Sequence, residues 1–199
     1  CLIFINNIQI TMNTRLTLIN NKKITVLGAG KSGIAAAVLA HDLGAKVLLS
    51  DINKIDFNIN NDIEIESGGH SKKIFDTDLI IKSPGISNES SIVKKIRASS
   101  IPIISEIEFA SWFTNSFIIA LTGSNGKTTT ISLIDKIFKS SGKVSLLGGN
   151  IGIPFSENVL YERKNSNKEI IHLLEISSFQ LDDIYHFKPN IAIILNITP

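Results

Sequence analysis

The feature that most restricts the fold is a glycine turn set between an apolar run and a helix-favouring run, and it occurs twice. Residues 24–27 are a short, largely β-branched run, Gly28-Ala29-Gly30-Lys31-Ser32-Gly33 follows, and residues 34–43 are alanine-rich, with Gly44 as a C-cap. Strand, tight turn and helix in that order bring a helix N-terminus to the carboxyl end of a strand, where backbone N–H groups gather an anion. Residues 46–50 read as the next strand, ending at Asp51. An acid at that offset meets a ribose in dinucleotide-binding folds, and a solvated carboxylate at a strand end reads equally well. The turn selects a diphosphate. It does not choose between a nicotinamide dinucleotide and a uridine diphosphate.

The second occurrence is sharper. Residues 117–121 read as a buried strand, Gly123-Ser124-Asn125-Gly126-Lys127-Thr128 follows, and a helix is expected over 130–141 with Gly142 ending it. Such a loop points N–H groups at phosphate oxygens, Lys127 reaches the terminal phosphates, and Thr128 presents a hydroxyl to Mg²⁺. The spacing departs from the general G-x-x-x-x-G-K-[ST] form, because Leu121 stands at the first glycine position.

Between and after these turns the chain alternates. Residues 78–82 form an apolar run broken by Ser83-Pro84-Gly85, where Ser83 can face a ligand or simply turn the chain. Residues 88–99 read as a helix with Asn88 as N-cap, 101–104 as a short strand, and 106–113 as a short amphipathic helix. Residues 52–67 carry too little pattern to assign. Further strands are expected at 144–147, at 170–174 ending on Glu175, and at 191–195, with a turn at Gly148-Gly149-Asn150. Glu175 suits a Mg²⁺ ligand, or opens a helix cap with Ser177, Ser178 and Gln180. His172 lies inside an apolar strand and reads as a core residue, and no histidine has metal-ligand spacing.

This alternation predicts an α/β protein with mostly parallel sheets. The expected division is an N-terminal extension over 1–21, a Rossmann-like domain over 22–114, and an incomplete P-loop α/β central domain over 115–199, with the boundary at the polar break Thr114-Asn115-Ser116. A chain of 199 residues that is 43% hydrophobic and 19% charged supports such a core. The net charge of +2 without a basic run gives no reason to expect nucleic acid. No stretch of about 20 apolar residues exists to span a membrane. The single cysteine, Cys1, rules out an internal disulfide and suits a reducing compartment. Translation is expected to start at Met12, with residues 1–11 upstream of it or a short extra tail.

In this order the glycine turn at 28–33, Asp51, Ser83-Pro84-Gly85, LTGSNGKTT at 121–129, GGNIG at 148–152 and LEISSFQL at 174–181 resemble the Mur ligase family, in particular its D-glutamate-adding members. The resemblance implies a cytoplasmic, monomeric, ATP- and Mg²⁺-dependent amide ligase that adds D-glutamate to UDP-N-acetylmuramoyl-L-alanine through an acyl phosphate. It implies that Gly30, Lys31, Ser32, Asp51, Ser83 and Gly85 meet the UDP part of the precursor, with Asn150, Ser177 and Gln180 near its reacting end. ATP falls to Gly123, Ser124, Asn125, Gly126, Lys127, Thr128 and Thr129, the metal to Thr128 and Glu175, and catalysis to Lys127 and Glu175. Family members continue past the equivalent of Pro199 with an acidic residue, a metal-binding histidine, a modified lysine and a third domain, so this stretch alone is expected to be inactive. Two other readings stay open: an NAD-binding oxidoreductase built on the first turn, and a non-catalytic nucleotide-binding module.

Overall fold

The computed structural model describes residues 12–56, 59 and 62–198. The expectation for residues 1–11 therefore lies outside the described residues. The chain runs α1 (Met12–Ile19), β1 (Lys23–Leu27), α2 (Lys31–Asp42), β2 (Lys46–Asp51), β3 (Glu64–Ser67), β4 (Leu79–Lys82), α3 (Ser91–Ala98), β5 (Ile103–Ser105) and α4 (Glu106–Ser111). It continues through β6 (Phe117–Thr122), α5 (Lys127–Ser140), β7 (Val144–Gly149), α6 (Phe155–Lys164), β8 (Ile170–Glu175), α7 (Ser178–Leu181) and β9 (Ile191–Ile194).

The strands form two sheets, ordered β3-β2-β1-β4-β5 and β7-β8-β6-β9. Every pairing is parallel. Parallel strands are covered on both faces and so read as apolar runs rather than alternating ones. β4 is buried at all positions from Leu79 to Lys82, and β8 from Ile170 to Glu175. In each sheet later strands are added on both sides of the strand that precedes the glycine turn, β1 or β6. That switch in strand order opens a crevice at the strands' carboxyl ends.

Several local expectations shift. The helices after both turns begin earlier than expected, at Lys31 and Lys127, so the last residues of each motif form the first helical turn. Asn88 does not cap α3. Ser90 does, its hydroxyl accepting from Val93 N, because the Asn88 side chain is taken up by Lys82, Arg97 and Asp182. β7 runs on through Gly149, and the expected turn there begins only at Asn150. α6 lies in a stretch where spacing suggested no element. It starts directly after Pro154, which lacks an N–H and sets φ for a helix start.

The helix α4 departs most from expectation. It is not amphipathic: Glu106, Ile107, Glu108, Phe109 and Ala110 are all buried. The reason is its position between the two lobes. One continuous apolar core includes Ala36, Leu39 and Ala40 of α2, Phe109 and Phe113, and Phe155, Val159, Leu174 and Ile176 of the second lobe. The rings of Phe109 and Phe113 meet edge-on with centroids 5.2 Å apart. Both acids of α4 serve backbone of the second lobe. Glu106 accepts from Ser156 N at 2.5 Å. Glu108, 0% exposed, accepts from the N–H groups of Tyr185, His186 and Phe187 and from Trp112 Nε1. Buried carboxylates persist only when N–H donors replace their lost water.

Candidate functional site

The first turn is held from three sides. Gly28 has φ +91°, a left-handed value that suits glycine, and a Cβ on Gly33 would lie 1.8 Å from Gly28 O, so these two glycines let turn and helix meet. Ser83 Oγ donates to Gly28 O at 3.0 Å. Asp51 Oδ2 accepts from Ala29 N at 2.6 Å and its Oδ1 accepts from Asn53 N at 2.7 Å. Partial burial raises the Asp51 carboxyl, but the N–H groups of Ala29 and Asn53 outweigh it and hold the group below its ordinary value. Asp51 is thus more than a solvated strand-end carboxylate. It fixes the turn and keeps spare lone pairs for a hydroxyl.

Gly30, Lys31, Ser32, Asp51, Ser83 and Gly85 all line one cleft of about 480 Å³ at the carboxyl ends of β1, β2 and β4. The structure brings together every residue expected in the first crevice. It adds Asn53, His70 and Ile86, which spacing did not single out. His70 follows β3, just past the weakly patterned stretch, and only its partner Ser50 reveals it, at 2.8 Å from Nδ1.

The second turn is closed on itself. Gly123 and Gly126 have φ +149° and +80°. Lys127 Nζ donates to Gly123 O at 2.6 Å and to Ser124 O at 3.2 Å. Ser124 N and Asn125 N, expected to face phosphate, donate instead to the backbone and side-chain oxygens of Asn196, just past β9. Asn196 Nδ2 returns a bond to Asn125 O at 3.0 Å. The donors left for an anion are those of the first turn of α5, which have no intrahelical partners. Thr129 is exposed in that turn.

At the mouth of this turn Thr128 Oγ1 donates to Glu175 Oε2 at 2.8 Å. Asn150 Nδ2 donates to Glu175 Oε1 at 3.0 Å, and Asn150 N to Glu175 O at 2.7 Å. Glu175 is 1% exposed and in register with Leu121 on β6 and Gly149 on β7. A Cβ on Gly149 would lie 2.3 Å from Glu175 O, so glycine lets the Asn150 turn close over the strand end. The structure gathers Thr128, Asn150 and Glu175, which lie far apart in the chain. Ser177 and Gln180 pair with each other: Gln180 Oε1 accepts from Ser177 N at 3.0 Å and from Ser177 Oγ at 3.2 Å. Here the helix-cap reading of this segment holds for its serine and glutamine, and the ligand reading keeps its geometry for Glu175.

A polar node joins the two segments. Lys82, its side chain 3% exposed, ends β4 just before Ser83 and donates to Ile86 O at 3.2 Å and Asn88 Oδ1 at 2.8 Å. Its Nζ lies 3.1 Å from Asp183 Oδ2, whose side chain is 2% exposed. Arg97 closes on the other Asp183 oxygen. Asp183 has φ +58° and follows α7, so the Ser83 turn and the segment from Glu175 to Gln180 are tied through buried charge. The expectation for His172 holds in its burial: it is 0% exposed, with Nε2 2.7 Å from Glu162 Oε2. Glu162 in turn accepts from the Thr114 and Ser116 hydroxyls at the lobe junction.

Two parallel sheets, each with a glycine turn feeding a helix, and a lysine-threonine loop facing a strand-end glutamate define the chain as a P-loop α/β protein with a Rossmann-type cleft beside it. Sequence comparison gives the particular family. Residues 23–92 match the MurD N-terminal domain, and residues 121–199 match the Mur ligase middle domain. Among curated relatives, UDP-N-acetylmuramoylalanine–D-glutamate ligase of Christiangramia forsetii is 45% identical over 184 residues, covering 89% of this chain and 40% of that protein. The enzyme of the same name from Elusimicrobium minutum is 46% identical over 188 residues, covering 89% and 41%. The murein peptide ligase of Psychrobacter arcticus superposes with a TM-score of 0.57 at 22% identity over 90% of this chain and 44% of that one, a likeness of fold. The chain belongs to the Mur ligase family. It spans about two fifths of the length of the curated relatives it matches.

Proposed function

We propose that this chain is the precursor- and ATP-binding part of a cytoplasmic ligase that adds D-glutamate to UDP-N-acetylmuramoyl-L-alanine in peptidoglycan precursor synthesis. The activity carried in the names of relatives at about 45% identity supports the reaction. The observation that carries the chemistry is the Thr128–Glu175 contact of 2.8 Å at the carboxyl end of adjacent parallel strands, beside Lys127.

A carboxylate and an ammonium do not condense in water, so the carboxylate must first acquire a leaving group. Residues 22–114 would hold the precursor, with the α2 N-terminus at Gly30, Lys31 and Ser32 facing its diphosphate and Asp51, Ser83 and Gly85 facing the uridine side. Residues 115–199 would hold ATP on the turn from Gly123 to Thr129. Lys127 would turn from the carbonyls of Gly123 and Ser124 onto the terminal phosphates, exchanging two neutral acceptors for a charged one. Thr128 and Glu175 offer two hard oxygens, the small donor set that suits Mg²⁺ bound largely by water and phosphate. The metal, when bound, offsets phosphate charge. Asn150, Ser177 and Gln180 would align the carboxylate with the γ-phosphate. The γ-phosphoryl group passes to the L-alanyl carboxylate and ADP leaves. The D-glutamate amine then attacks the acyl carbon and phosphate leaves. No helix among the described residues is long and apolar enough to cross a membrane.

Calorimetric titration of the chain tests the two sites. UDP and Mg·ATP should bind independently, one each, and Lys127→Ala should remove ATP binding while leaving UDP binding intact. Competition of the two nucleotides for one site would refute the assignment. In the complete protein, phosphate release that depends on both D-glutamate and the UDP-linked substrate reads the reaction, and Lys127→Ala should abolish it.

A further inference from the structure

Glu66, Ser50 and His70 form a hydrogen-bonded relay at the carboxyl edge of β2 and β3. Ser50 Oγ lies 2.6 Å from Glu66 Oε2 and 2.8 Å from His70 Nδ1. Partial burial raises the Glu66 carboxyl, but bonds from Ser50 and Ser71 outweigh this and hold it below its ordinary value. Glu66 is therefore ionised at neutral pH and acts only as an acceptor. The Ser50 hydroxyl has one proton, and Glu66 takes it. Toward the ring, Ser50 Oγ is then left only as an acceptor, so a neutral His70 carries its proton on Nδ1. Nε2 becomes a bare lone pair.

This ring lines the cleft with Asp51 and Gly30. The two ends of that cleft differ in chemistry. The α2 N-terminus presents N–H donors suited to phosphate. The end of the second strand in such folds meets the ribose, and Ser50, which orients the ring, precedes Asp51 at that end. An oriented acceptor there has no use for a phosphate oxygen and calls for a donor.

We infer that His70 is a specificity-determining residue of the cleft: its Nε2 accepts a hydrogen bond from the nucleoside half of a bound uridine diphosphate. The donor is a ribose hydroxyl or the imide N–H of uracil, and the inference rests on the precursor site proposed above. A nucleotide without that donor would leave a desolvated lone pair unpaired, which penalises it more than the bond rewards the correct ligand.

The test is calorimetric titration of the chain at pH 8 with UDP, CDP, 2′-deoxy-UDP and 3′-deoxy-UDP, for the wild type, His70→Phe and His70→Gln. In His70→Phe, UDP should bind about tenfold more weakly, the loss of one hydrogen bond. One analogue should bind the wild type more weakly than UDP does, yet bind wild type and His70→Phe alike. That analogue is CDP if the imide is read and a deoxynucleotide if a hydroxyl is read. His70→Gln, which keeps an acceptor, should recover part of the loss. If His70→Phe does not fold, the wild-type ligand series and His70→Gln decide the matter. Unchanged UDP affinity in a folded His70→Phe, or a wild type that treats all four ligands alike, overturns the inference alone. A wild type that binds no UDP overturns the precursor site and this inference with it.

Discussion

Replacing Glu106 by glutamine should make the protein more stable at pH 8 and change little at pH 4.5. Glu106 is fully enclosed between the lobes, 2% exposed, and burial pushes its carboxyl up from 4.5 to about 7 against the opposing bonds from Ser156. Among the described residues its Oε2 has no hydrogen-bond partner, so only one oxygen is compensated when the group ionises. A carboxyl whose pKa is raised on folding holds its proton more tightly in the native state. Between pH 4.5 and about 7 the native chain binds more protons here than the unfolded one, so stability falls as pH rises through that window and levels off above it. At about 1.4 kcal/mol per pH unit, the gap amounts to roughly 3 kcal/mol. An amide of the same shape has no charge to bury and can still accept from Ser156 N. Urea denaturation of wild type and Glu106→Gln at pH 4.5, 6 and 8 measures the difference directly, since other titrating groups cancel between the two proteins. Glu106→Gln should lead by roughly 3 kcal/mol at pH 8 and by almost nothing at pH 4.5. A constant difference across pH, or a destabilised variant at pH 8, would show that Glu106 is ionised without penalty and that the reasoning from burial is wrong.

Two further substitutions probe how the cleft is built. Lys82→Met removes the buried cation that serves Ile86, Asn88 and Asp183. It should cost about 3 kcal/mol in urea denaturation, because among the described residues the Asp183 carboxylate then keeps Arg97 as its one cation, and Lys82→Met/Asp183→Asn, which removes the stranded charge at a φ of +58° that asparagine tolerates, should regain part of the loss. Gly33→Ala drives a Cβ to 1.8 Å from Gly28 O and should lower stability by about 3 kcal/mol or more. Gly30→Ala meets nothing within 4 Å and has φ −71°, so its thermal midpoint should hold or rise slightly while UDP affinity falls.

What the amino-acid sequence determined alone is what short range can encode. The two glycine turns, the strands before them and the acids that end β2 and β8 follow from spacing over a few residues, because a turn between strand and helix has few solutions. The turn residue Gly30 and the loop residues Lys127 and Thr128 stood out for that reason, whereas Asp51 and Ser83 read equally as a strand-end carboxylate and a plain turn until the family resemblance gave them a ligand. Tertiary structure decided what depends on partners far along the chain. Glu106 and Glu108 read as the wet face of an amphipathic helix, yet they are buried because a second lobe brings backbone N–H groups to them from 50 and 77 residues away. Asn88 reads as a cap and is instead drawn to Asp182, 94 residues on. Asn196 steadies the phosphate turn from 71 residues away, and His70 gains its orientation only when β2 and β3 pair. A carboxylate or an imidazole has no fixed role in isolation. Its protonation, its partners and hence its chemistry are settled by which donors and how much water the folded chain leaves around it.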